Sequence, residues 1–481
     1  MPPRPSGIER NIVVSLWDFG TPVAFVHGTP VAFVHDEAAA DTRDARVNAN
    51  GRIYGVANSS DLLFWLDPDS NEVGQERIPT KAAMGGQSAA PSPYWGNEHI
   101  WQAAAQPRSV VIDGKARVWF AATMRGKVQT FGSAAGAGGE QPAFCKPGSS
   151  NKFAQYFPLV NPSGKQVARY DPTTGTIVQI DTCFSADHNQ FAADGSLFFG
   201  QRDVIGWVDT AAYDRTGNDS ASQGWGPAVL DTNGDGKITQ PWTEPDEAVD
   251  LARDHRVSFG CYSVAVNQSD GSAWCAGGGS DRLVRFDRGS NPPETMKSEI
   301  FDKPSAGYDP PILGAHGVDV DSNGVIWQNW RSGYLTSFDR RKCKVLNGPT
   351  ATGGHCPEGW AVYRAPHERA ADAVTRFYLV FVDREGVFGL GKDIPIAPSP
   401  NTDALLALMP QTGKWVTLRV PYPLGFFARS HQGRIDDPNA GWKGRGLWSS
   451  YATYAPWHIE GGKGTKNKMV KFQLRPDPLA R

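Results

Sequence analysis

Apolar and polar positions along the chain repeat one unit. An apolar strand runs into a turn rich in Asp, Asn and Gly, a Gly-x-apolar-aromatic run follows, and a further strand ends in Asp. The unit reads Arg108-Ser-Val-Val-Ile-Asp-Gly-Lys-Ala-Arg-Val-Trp119, and again His188-Asn-Gln-Phe-Ala-Ala-Asp-Gly-Ser-Leu-Phe198. It returns as Tyr262-Ser-Val-Ala-Val266 through Gly271-Ser-Ala-Trp274, and as His316-Gly-Val-Asp-Val-Asp-Ser-Asn-Gly-Val-Ile-Trp327. Fainter copies end in Gly51-Arg-Ile-Tyr54, Gly386-Val-Phe388 and Gly446-Leu-Trp448. Third strands follow at Leu63-Phe-Trp-Leu-Asp67, Val167-Ala-Arg-Tyr-Asp171, Leu283-Val-Arg-Phe-Asp287 and Leu335-Thr-Ser-Phe-Asp339, and a fourth at Thr176-Ile-Val-Gln-Ile-Asp181.

Four short strands recurring at roughly 40 to 80 residues predict the blades of a β-propeller, because one four-stranded sheet cannot bury both faces unless blades stack around an axis. The copies predict an all-β chain of about seven four-stranded blades, one domain over 1–481. A closing strand is expected within 11–25, where Asn11-Ile-Val-Val-Ser-Leu-Trp-Asp18 would lie beside Met469-Val-Lys-Phe-Gln-Leu474. Residues 123–165 lack periodicity and read as an inter-strand insert, and 231–247 as a second. Gly20-Thr-Pro-Val-Ala-Phe-Val-His27 recurs unchanged as Gly28 to His35, and eight residues keep the strand phase.

Composition narrows the function. With 48 Lys+Arg against 50 Asp+Glu, no global field draws the 481-residue chain to nucleic acid or an anionic membrane. No apolar run is long enough for a transmembrane helix. Cys261 and Cys275 flank two apolar runs around a Gln-Ser-Asp-Gly turn, so a hairpin centred near residue 268 would set them opposite each other. Cys343 and Cys356 close a short loop, which leaves Cys145 and Cys183 as a third pair; the alternative is six buried thiols. Disulfides imply an oxidising compartment, periplasmic or extracellular. Met1-Pro-Pro-Arg-Pro-Ser-Gly7 has no apolar signal core, so export is expected with a signal already removed.

The run Ala315-His-Gly-Val-Asp-Val-Asp-Ser-Asn-Gly-Val-Ile-Trp327 resembles the virginiamycin B (streptogramin) lyase superfamily, with related blades in NHL and gluconolactonase-like proteins. The resemblance runs loosely over residues 46 to 475. It implies a seven-bladed propeller that opens a cyclic ester by elimination, with a His general base, here His316, and a Mg²⁺ ion at the channel mouth. Where the lyases carry Trp-Phe-Thr-Glu this chain has Trp327-Gln-Asn-Trp330, so the metal-bearing carboxylates are not matched.

In a propeller the first strand of each blade lines the channel and its first residue sits at one mouth. Aligned on the aromatic anchor, the blades bring Arg108, His188, Tyr262 and His316 there as catalytic candidates, with weaker alignments giving Arg43, Arg376 and Asp437. Such a set suits removal of a proton beside a carboxylate or ester, Arg neutralising the developing enolate while His or Tyr takes the proton. Asp187 would stand beside His188 to orient it. The expected ligand is a small molecule or saccharide. The same histidines could instead hold a transition metal, copper or iron in an oxidoreductase, completed by His458 or His99. A third reading is a non-catalytic propeller that binds a ligand or protein on one face.

The sharpest local motif is Asp231-Thr-Asn233-Gly-Asp235-Gly-Lys237-Ile-Thr239, the opening of a calcium loop whose oxygens at positions 1, 3 and 5 converge on a hard cation. Asp231, Asn233, Asp235, the Lys237 carbonyl and Thr239 are the expected ligands of a structural Ca²⁺. Position 12 is Trp242, so Glu244, Asp246 or Glu247 would have to supply the last carboxylate by another path. Pro456-Trp-His-Ile-Glu460 followed by Gly-Gly-Lys-Gly464 reads as a rim loop without P-loop context, and Arg340-Arg-Lys-Cys-Lys344 as solvated surface. No G-x-S-x-G or H-E-x-x-H motif occurs.

Overall fold

The repeated turn aspartate explains why the unit recurs. Asp113 Oδ1 accepts the Lys115 and Arg117 N–H groups at 2.9 and 3.0 Å, while its Oδ2 accepts Trp119 Nε1 at 2.8 Å. Asp321 repeats this with Asn323 and Val325 at 2.9 Å and Trp327 Nε1 at 3.3 Å. In the 262–274 copy the link runs through Ser272, whose hydroxyl donates to Asp270 and accepts Trp274 Nε1 at 3.0 Å. One carboxylate thus folds the hairpin and pins its aromatic anchor, which is a structural reason for the motif.

The structure is a computed structural model. It describes residues 4–5, 7–22, 25–26, 29–30, 34–57, 61–79, 105–124, 141–160, 165–277, 280–305, 307–366, 377–399, 402–420, 426, 428–450 and 466–479. Seven four-stranded antiparallel sheets are the blades of a seven-bladed β-propeller. Blade 1 comprises Asp36–Ala38, Ile53–Val56, Leu62–Asp67 and Glu72–Arg77; blade 2 comprises Arg108–Ile112, Val118–Thr123, Lys165–Asp171 and Thr176–Ile180. Blade 3 takes His188–Phe191, Ser196–Gln201, Val204–Asp209 and Gln223–Gly226. Blade 4 takes Cys261–Val266, Ala273–Gly277, Arg282–Asp287 and Lys297–Asp302. Blade 5 takes Ala315–Val320, Ile326–Trp330, Tyr334–Phe338 and Trp360–Arg364. Blade 6 takes Phe381–Asp383, Ile394–Ser399, Ala404–Met409 and Lys414–Arg419.

Blade 7 draws on both ends of the chain. Gln432–Ile435, Arg445–Ser450 and Lys466–Leu474 are completed by Ile12–Pro22, in register from Ile12 opposite Leu474 to Asp18 opposite Lys468. The expected closing strand is therefore present. The chain groups into two compact units, one holding blades 6, 7, 1 and 2 (1–139, 164–180 and 366–481), the other blades 3, 4 and 5 (140–163 and 181–365).

Within each unit the apolar residues are buried where neighbouring blades meet. Val56, Leu63, Ile112, Val118 and Phe120 form one such layer between blades 1 and 2, and Trp274, Leu283, Phe301, Ile326 and Phe338 another between blades 4 and 5. In blades 1 and 3 a third-strand tryptophan lies across a fourth-strand glycine, Trp65 opposite Gly74 and Trp207 opposite Gly224. The indoles occupy the space that a Cβ would need there.

All three disulfides expected from the spacing are formed. Cys261 and Cys275 bridge the first two strands of blade 4 with Cα atoms 5.6 Å apart, the pairing that the hairpin argument required. Cys145–Cys183 and Cys343–Cys356 have Cα separations of 5.4 and 5.1 Å. Three bridges are consistent with an extracellular or periplasmic protein. Among the described residues no helix is long and apolar enough to cross a membrane.

Candidate functional site

In the three-blade unit, the first strands of blades 3, 4 and 5 carry His188, Tyr262 and His316 into contact. The Tyr262 ring lies edge-on to His188 with centroids 4.5 Å apart and stacks on His316 at 4.6 Å, the planes 7° from parallel. Both imidazoles are buried, and Tyr262 is half-buried. The local cause is a bulge near the start of two of these strands, between Cys261 and Ser263 and between Ala315 and Val318. An extra residue there re-aims side chains that strict alternation would send to opposite faces.

The fourth member was not foreseen. Arg331, exposed just beyond Ile326–Trp330, sets Nη2 2.9 Å from His316 Nε2. A guanidinium has donors only, so in this contact Nε2 is the acceptor. Behind the rings, Asn329 Oδ1 accepts the Gly317 N–H at 2.7 Å, and Gln190 Nε2 donates to Asp319 at 3.1 Å. Sequence reasoning passed over Arg331 because it lies outside the inner strand on which the alignment was built, though Trp330-Arg-Ser-Gly333 marks a strand end.

In the four-blade unit, a second polar cluster gathers at the corresponding ends of the inner strands of blades 7 and 1. His35 and Asp36 open blade 1, and Arg429 and His431 precede the inner strand of blade 7. Asp36 Oδ2 lies 3.1 Å from His35 Nδ1 and accepts the Ser109 N–H at 2.8 Å; Arg429 Nη1 reaches His35 Nε2 at 2.8 Å. Arg429 also lies over the Tyr378 ring at 5.1 Å. Ser109 holds φ at 54°, a conformation that costs a non-glycine residue energy and often marks a built site. Burial first, then the Arg429 charge, lowers His35 to about 3, and burial lowers His431 to about 3. Burial raises Glu37 to about 7, against the hydrogen bonds of Ser450 and Ser430.

Arg108, expected with the ring set, belongs to this four-blade unit, where its charge acts on His35. The weaker alignments were displaced. Arg43 sits in the turn after the inner strand of blade 1, paired with Asp41, and Asp437 follows the inner strand of blade 7 and caps a short 3₁₀ turn. The reason is turn length. Blades 2 to 5 join their first two strands through 113–117, 192–195, 267–272 and 321–325, whereas blades 1, 6 and 7 use 39–52, 384–393 and 436–444. An alignment on the aromatic anchor slips when the turn lengthens. Arg376, His99, His458 and the 456–464 rim loop lie outside the described residues, as does much of the 123–165 insert.

The donor set at the rings does not fit a hard divalent cation. Arg331 already brings a positive charge to His316, and among the described residues no three His, Cys, Asp or Glu side chains are grouped to hold a metal.

No protein-family model matches the chain, and no curated protein matches it by sequence. Solved structures do share the fold. A streptogramin B lyase is similar over 98% of this chain and 100% of its own, with 9% identity and a TM-score of 0.51. A catalytically inactive His-to-Ala variant of virginiamycin B lyase from Staphylococcus aureus, with quinupristin, is similar over 96% of this chain and 100% of its own, with 9% identity and a TM-score of 0.50. YCF48 bound to a D1 peptide follows at 9% identity, 95% and 94% coverage and a TM-score of 0.47. At such identities the likeness to the two lyase structures establishes the propeller and leaves the chemistry to the residues.

Proposed function

We propose that the protein is a lyase-like enzyme that eliminates across a C–O bond in an anionic or ester-bearing small molecule or saccharide, with His316 as base. The observation that carries this reading is the contact of Arg331 with His316 Nε2, beside a Tyr262 ring that limits movement of the imidazole. Arg331 is exposed, so a substrate carboxylate or carbonyl can take its donors. That exchange uncovers the Nε2 lone pair. His316 then removes the proton from the carbon next to the carbonyl, and the electron pair forms a C=C bond as the C–O bond at the β carbon breaks. The oxygen leaves as a carboxylate when the substrate is an ester. Arg331 stabilises the enolate that develops between these events, in the role first expected of Arg108.

The test is appearance of a conjugated product in the near ultraviolet on incubation with quinupristin, other cyclic esters and acidic saccharides. The expected result is turnover of at least one class, lost by about a thousandfold in His316→Ala. In Arg331→Gln, KM should rise more for anionic than for neutral substrates. Ligand binding that survives His316→Ala, with no new absorbance in any class, would refute the elimination and leave a binding propeller.

A further inference from the structure

The segment between blades 3 and 4 carries a feature that its twelve-residue template hides. Ala228–Leu230 pairs antiparallel with His255–Val257, Leu230 opposite His255. Asp231, first residue of the Asp-Asn-Asp loop, follows Leu230, and Asp254 precedes His255, so the two residues lie at the same end of the ribbon. Asp254 is completely buried. Its Oδ2 accepts the Thr239 N–H from within the loop at 2.6 Å, and its Oδ1 has no hydrogen bond of normal geometry, the Thr232 N–H adding a weaker attraction. A buried carboxylate oxygen without a hydrogen-bond partner is costly unless a cation or a proton meets it.

Two of the three acids that the sequence offered for the last ligand are engaged elsewhere, and the third, Asp246, is exposed. Glu244 accepts Arg256 Nε at 2.6 Å and Trp242 Nε1 at 3.0 Å, and Glu247 accepts the Glu244 N–H at 2.7 Å. Inside the loop, Asp231 accepts the Gly234 and Gly236 N–H groups at 2.9 Å, which leaves Asp235 and Lys237 at the surface where an ion can enter. Ile238 faces the other way, buried against Val229 and Trp242.

We propose that Asp231, Asn233, Asp235, the Lys237 carbonyl and Asp254 bind one Ca²⁺, Asp254 supplying the carboxylate that position 12 lacks. Among the described residues no three His, Cys, Asp or Glu side chains are grouped to hold a metal, so binding would require Asp235 and Asp254 to move toward Asp231. The site is independent of the ring cluster and of the elimination.

Isothermal titration of CaCl₂ into the EDTA-treated, dialysed full chain tests it. The expected result is one ion per chain with a Kd of about 10⁻⁵ to 10⁻³ M, not competed by equal Mg²⁺. Asp235→Asn, at an exposed position that the fold tolerates, and Asp254→Asn should each weaken binding at least about tenfold. Lys237→Ala should leave it unchanged, since only the carbonyl is used. Absence of saturable binding by the unaltered chain at about 10 mM, ten times the weak end of that range, overturns the site. Unchanged affinity in either acidic variant overturns the ligand set, and if Asp254→Asn does not fold, Asp235→Asn decides.

Discussion

Replacing His431 by leucine should remove a specific part of the protein's acid sensitivity. His431 lies beside the inner strand of blade 7, edge-on to Phe381, and neither ring nitrogen has a hydrogen bond of normal geometry. Burial holds it near 3 against 6.5 unfolded, the pull of the Ile396 carbonyl opposing only weakly. The native state therefore keeps His431 neutral while the unfolded chain takes up a proton. Stability is complete above about pH 7.5 and falls as pH drops below 6.5, at about 1.4 kcal/mol per pH unit. Two units below 6.5, at pH 4.5, the loss from this residue is about 2.7 kcal/mol, and the figure holds for any native value below about 4. His35 acts in the same direction. Glu37 and Asp383, raised by burial to about 7 and about 6, act oppositely, since the native state retains their protons longer and loses that advantage as pH rises through those values. The sum is partly cancelled, so the readout is the difference between the two proteins. Urea unfolding at pH 7.5 and 4.5, disulfides intact, should show His431→Leu gaining about 2.7 kcal/mol on the parent between the two pH values. A gain below about 0.5 kcal/mol would mean that His431 is hydrated or protonated in the native state, and the burial argument would fail.

Two further perturbations test the scaffold. Replacing Cys145 and Cys183 by alanine opens a loop of sequence separation 38, and chain entropy puts the loss at about 4 kcal/mol. Thermal unfolding should show it, and an unaltered Tm would refute the assignment. Gly224→Ala drives a methyl group into the Trp207 indole and Phe153, which should cost about 1–3 kcal/mol and alter tryptophan fluorescence; a silent variant would show that the indole does not lie there.

The sequence by itself determined the strands, their turns and the closure of blade 7. These rest on local patterns: alternation along Val318-Asp-Val320, the turn aspartate at 113, 270 and 321, and an apolar run near each terminus. The disulfides were legible for the same reason, since a hairpin centred near residue 268 brings Cys261 and Cys275 together whatever else the chain does. The ring set was legible in blades 3 to 5, where short turns keep the repeat in phase; blade 2 shares the short turn, but its Arg108 belongs to the other unit. His35, Arg429 and His431 were not, because the long turns 39–52 and 436–444 displace their blades from the alignment. Arg331 and Asp254 were decided by tertiary structure alone. Arg331 meets His316 because two strands of one blade run side by side, and Asp254 reaches Thr239 of the loop because a β-ribbon brings together segments that lie far apart in the chain. Periodicity reports which face a residue occupies; contact between residues distant in sequence depends on how strands pair, and that pairing is a property of the folded chain.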